Sequence, residues 1–147
     1  MSIPTVFRTR DRRGAAAVEL ALVLPVLFLI VFGMIEFARG LFLQAALSGT
    51  VREGARYAAT LQDPGGAQLS LVKARMQAYL ATATASVPPL NPALIEVYPA
   101  DPTSDSVRVS INNYPIPMMT PIRRLIGLTG TSVTVTRSAT FRHEVYQ

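Results

Sequence analysis

Cysteine and tryptophan are absent from this chain, and histidine occurs once, as His143. Without cysteine there is no disulfide, no thiolate metal site and no cysteine nucleophile. His143 has no companions of the kind that a catalytic triad or a metal site requires. The carboxylates are dispersed, with no pair spaced for acid–base work. Gly65-Gly66 and Gly127-x-x-Gly130 lack the frame of a phosphate-binding loop. No internal repeat or heptad array is visible. No catalytic residue, cofactor or metal site is therefore expected, and the chain does not read as an enzyme.

Lysine is nearly missing too. The net charge of +5 rests on 13 Arg and one Lys. Arg8, Arg10, Arg12 and Arg13 form one cluster, and the rest are scattered, Arg123-Arg124 being the only other adjacent pair. A nucleic-acid footprint needs a basic face, and none is legible, so no nucleic-acid partner is expected.

What the chain does have is one long apolar run. From Leu20 to Ile35 no residue is charged, and from Ala15 to Ile35 only Glu19 is. As a helix, those 21 positions extend about 31 Å, the hydrocarbon thickness of a bilayer. The run reads as a transmembrane helix over residues 14–36. Residues 1–13 then form a basic leader, placed in the cytoplasm by the positive-inside rule, and residues 37–147 an extracytoplasmic domain. The competing reading is a secretory signal peptide cut near Leu43-Gln44-Ala45-Ala46. Against it stand the length of the apolar core and a helical pattern that continues beyond it.

Glu19 sits where a carboxylate is costly, which makes it a functional candidate. It either snorkels to the headgroups or meets a positive charge in the apolar layer, from a neighbour's side chain or a free chain terminus. Gly33 and Gly40 share a helix face on which another helix can approach closely, although glycine is also simply common in membrane helices. Glu36 and Arg39, three apart, pair at the exit from the membrane.

Beyond the span, helical spacing persists to about Thr60. Gln44, Ser48, Arg52 and Arg56 form a polar stripe. Leu47, Val51, Ala55 and Ala58 or Ala59 form an apolar one. Gly49 and Gly54 weaken this stretch as helix. Asp63-Pro64-Gly65-Gly66 is a stop signal, and residues 67–85 read as a second helix on Leu69, Val72, Met76, Tyr79 and Leu80. The pattern then switches to period two. Ile95 and Val97, then Val107, Val109 and Ile111, predict a hairpin around the turn at 101–105. Pro115, Pro117 and Pro121 predict that no central strand continues past Tyr114. Val133, Val135, Ala139 and Phe141 alternate with Thr134, Thr136, Ser138 and Thr140 in a third strand. The expected fold is α+β: a long N-terminal membrane-spanning helix continuing into a small domain with a second helix and a three-stranded antiparallel sheet.

Three segments together carry a resemblance: Gly14-Ala15-Ala16-Ala17-Val18-Glu19-Leu20-Ala21-Leu22-Val23-Leu24-Pro25, then Ile35-Glu36-Phe37-Ala38-Arg39, then Val51-Arg52-Glu53-Gly54-Ala55-Arg56-Tyr57-Ala58. In these the chain resembles the TadE-like family, small pilin-like proteins of the tight-adherence (Flp) pilus machinery. The resemblance implies a minor pilin or pseudopilin anchored in a bacterial inner membrane, with other pilin-like subunits and the pilus assembly platform as partners. It also implies a prepilin peptidase cut between Gly14 and Ala15, which would make Glu19 the fifth residue of the mature chain. That cut would strip the arginine cluster and create an α-amine on Ala15 for a neighbour's Glu19 to neutralise. The readings outside the family are a membrane-anchored binding module without a fibre role, and a secreted protein with a cleaved signal peptide.

Overall fold

The structure, a computed structural model, describes residues 12–84, 88–99, 105–117, 127 and 132–142. Helix α1 (Arg12–Ala58) is 47 residues long, about 70 Å, and Pro25 lies within it without ending it. It crosses the expected boundary at residue 36 without a break. Its last turn tightens, Thr60 N–H bonding to the Tyr57 carbonyl and Leu61 N–H to that of Ala58.

The turn that follows prepares the second helix. The Asp63 carboxylate accepts from Ala67 N–H at 2.8 Å, and the Gln68 side chain accepts from Asp63 N–H at 3.1 Å. Helix α2 (Leu69–Ala83) buries Val72, Met76 and Leu80, one i, i+4 row, and packs along α1.

Strands β1 (Ile95–Pro99), β2 (Ser106–Pro117) and β3 (Ser132–Arg142) form an antiparallel meander in that order. Both helices lie on one face of the sheet. The core holds Leu43, Leu47, Val51, Ala55 and Ala58 of α1, the α2 row, and Ile95, Val107, Val109, Ile111, Tyr114 and Ile116 of the sheet. The opposite face is polar. There Tyr98 Oη donates to the Glu96 carboxylate at 2.6 Å, and Asn112 Nδ2 donates to the same oxygen.

As the prolines predict, no central strand continues past Tyr114, yet β2 itself runs on through Pro115 to Pro117, paired on one side alone. The reason is the register. β1 pairs only with residues 107–111 of β2, so from Asn112 onward β2 has β3 as its sole described neighbour. One side of the strand has no ladder there, and a residue without an N–H is tolerated on it.

A bulge makes this extension useful. Ile111 pairs with Arg137 and Tyr114 with Val135, so Asn112 and Asn113 together oppose Thr136. Asn113 takes φ 53°, a left-handed conformation that Asn adopts more readily than most residues. Its N–H bonds to the Thr136 hydroxyl at 3.2 Å. The extra residue shifts the side-chain phase, so Tyr114 and Ile116 face the same core as Val107, Val109 and Ile111.

Candidate functional site

The candidate site is the uncovered half of α1 and the place where the folded domain takes hold of it. From Val18 to Ile35 the large apolar side chains other than the half-buried Leu24 are exposed. Phe28 and Phe32 stack with ring centroids 6.0 Å apart. This is one helix long and apolar enough to cross a membrane. Each side chain of this size gains about 1.5–3 kcal/mol on leaving water, so a row of more than ten is stable only against lipid or other apolar helices.

Glu19 is exposed on this bare rod, and Gly14 and Ala15 are exposed at its start. Gly33 and Gly40 face open space, since a Cβ at either would meet nothing within 4 Å. The chain itself therefore packs nothing against these two glycines.

Glu36 and Arg39 are in contact on α1. Arg39 Nη1 lies 3.7 Å from Glu36 Oε1, and both side chains are about four-fifths covered, at 19% exposure each. The same nitrogen donates to the Pro117 carbonyl at 2.6 Å. The end of β2 is thus fastened to α1 at the level where its coverage begins. Four residues on, Leu43 is in the core at 1% exposure.

Higher on the helix, Val51-Arg52-Glu53-Gly54-Ala55-Arg56-Tyr57-Ala58 docks α2. Val51, Ala55 and Ala58 point into the core. Glu53 accepts from Arg56 on its own helix, at 3.0 Å to each oxygen, and from Arg75 on α2 at 2.9 and 3.1 Å. The Arg75 guanidinium also lies 6.0 Å from the Tyr57 ring centroid. The hydrogen bonds from Arg56, with those from Arg75 in support, hold the Glu53 carboxyl below the ordinary carboxylate range against the opposing effect of burial.

Two functional contacts escaped the sequence reading. Glu53 joins two helices, and its partner Arg75 lies 22 residues away. Arg137 occupies the core-facing side of β3, in phase with Val135 and Ala139, and its Nη2 donates to Gln44 Oε1 on α1 at 2.7 Å. The period-two phase of β3 was the available signal for Arg137. His143 and Arg123-Arg124 lie outside the described residues, as do residues 1–11 of the basic leader.

A family model described as TadE-like protein matches residues 14–56. The match runs from the start of the bare rod through the exit pair to Arg56, and so upholds the resemblance over that segment. No curated protein and no solved structure matches.

Proposed function

We propose that this TadE-like chain is a non-enzymatic, single-pass minor pilin or pseudopilin that supports assembly of a Flp/Tad-type pilus or a related secretion system. The observation that carries the reading is the division of α1. One continuous helix is bare and apolar over its first half and forms the spine of a packed domain over its second, and the TadE-like match spans both. Such a helix holds the domain rigidly above the membrane and offers an apolar rod to neighbouring subunits. In this reading residues 1–13 are cytoplasmic, the domain lies outside the inner membrane, and Glu19 pairs with the free α-amine of a neighbour cut between Gly14 and Ala15.

The physics of the fold weighs against discarding the segment as a signal peptide. A cut at residues 43–46 would take Leu43 out of the core and the Gln44 partner away from Arg137.

N-terminal sequencing of the protein recovered from its native membrane tests the proposal. A start at Ala15 is expected. A start near Ala46 would make this a secreted protein, and an uncut start would leave a plain anchor or an unprocessed assembly factor. Glu19→Gln and Glu19→Leu should both lose pilus assembly, and unchanged fibres in both variants would sink the charge-pairing role.

A further inference from the structure

The two edges of the sheet are unlike. β1 is five residues long and ends at Pro99, so it offers little to another strand. β3 runs for 11 residues, about 36 Å, with no proline or glycine and with no described element along its outer side. The bulge lies on β2, so the backbone of β3 continues without an insertion. An exposed edge of this kind is a template for an added strand.

The core-facing row of β3 is also unfinished. Val133 and Phe141 pair with the buried Ile116 and Val107, yet remain 47% and 38% exposed. In the middle of the row is Arg137, half-buried between Val135 and Ala139. Its described partner is the neutral amide of Gln44, and its Nε is buried without a hydrogen-bond acceptor. No carboxylate among the described residues forms an ion pair with it. A cation held in this way gains from an acid placed beside it.

We infer that β3 accepts an extended, acidic segment of another protein chain as a fourth strand. A strand added at this edge sets one of its residues directly beside Arg137 on the core-facing side, at the ~5 Å Cβ separation of cross-strand neighbours. A Glu or Asp at that place completes the ion pair. Apolar residues two positions to either side meet Val135 and Ala139 and extend the row toward Val133 and Phe141. A second copy of this chain does not fit as well, because its described strands carry no carboxylate on their core-facing sides.

The test uses the full chain in detergent micelles and two fluorescein-labelled nine-residue peptides, blocked at both ends. Both have Val two places to either side of the centre and Thr between. One has Glu at its centre and the other Gln. The Glu peptide should bind and slow hydrogen exchange across residues 132–142, and the Gln peptide should bind about fivefold more weakly. Arg137→Lys should keep the preference and Arg137→Gln should abolish it, with unchanged exchange in α1 and α2 as the control for folding. Equal affinity for the two peptides overturns the inference, as does failure of the Glu peptide to bind or protection that falls elsewhere. Because the peptide comparison is made on the unaltered chain, it decides the matter even if Arg137→Gln does not fold. Protection of β3 by self-association in the absence of peptide would also overturn it.

Discussion

Met76 of α2 rests directly on the backbone of Gly54 of α1. A Cβ at Gly54 would lie 2.6 Å from both Cγ and Sδ of Met76, a side chain with no solvent exposure. The glycine that weakens α1 as a helix is therefore what lets the two helices meet at this depth. Gly54→Ala gains about 1 kcal/mol of helix propensity and costs about 1–3 kcal/mol through overpacking, so a net loss near 1 kcal/mol is expected. Urea unfolding in detergent measures it. In a double-mutant cycle with Met76→Ala the two changes should be non-additive, since the shorter side chain removes the clash; strict additivity would contradict the contact.

Glu53 makes the α1–α2 contact sensitive to acid. Its folded-state pKa lies below the ordinary value, chiefly through the Arg56 hydrogen bond. Its contribution is then fully present above the unfolded-state value, about 4.3, and is lost as pH falls through the lower folded-state value. Stability measured from pH 7 down to pH 3 should fall more steeply in the native chain than in Glu53→Gln. Parallel curves would mean that Glu53 is not held as an ion.

Asn113 is the residue on which the phase of β2 turns. At φ 53°, Asn113→Val should cost about 1–2 kcal/mol, the usual penalty of the left-handed region for a side chain branched at Cβ. Asn113→Gly should stay within about 0.5 kcal/mol of the native chain, because glycine enters that region freely. Thermal unfolding of both variants distinguishes this from a general sensitivity of the strand, which would destabilise the two alike.

Tyr114 is the largest of the fully buried side chains, and its Oη donates to the Pro88 carbonyl at 2.7 Å. Tyr114→Phe should cost about 1 kcal/mol, the typical net value of one such bond. Burial also raises the pKa of this phenol. The folded state then keeps a proton that the unfolded state gives up above pH ~10, so stability should decline as pH climbs from there through the folded-state value. The pKa of the Tyr98 phenol is also raised, by its hydrogen bond to Glu96, so spectrophotometric titration should show late-ionising tyrosine from both residues, and Tyr114→Phe should remove only the Tyr114 part of it.

Much of the architecture was legible as periodicity. The stripe of Leu47, Val51 and Ala55 reads as a core face because residues four apart stack on a helix, and that stripe is buried. The alternation through Val107, Val109 and Ile111 and through Val133 to Phe141 likewise located strands whose pairing is that of a meander. Glu36 and Arg39 were readable as a pair because they are neighbours on one helix. The continuation of β2 through Pro115 was not readable. Its tolerance depends on where β1 stops, which is a property of pairing between distant segments.

By itself, the order of residues determined that one apolar rod carries this protein and that a helix pair and a small antiparallel sheet follow it. Local spacing, turn chemistry and the placement of charge are short-range properties of a chain, and they suffice for that much. Only the tertiary structure decided that Arg39 fastens the end of β2, that Glu53 joins α1 to α2, that Gly54 makes room for Met76, and that Arg137 faces the core beside Gln44. Each of these depends on which distant side chains arrive at the same point. That is settled by the packing of whole elements against one another and leaves no period in the sequence.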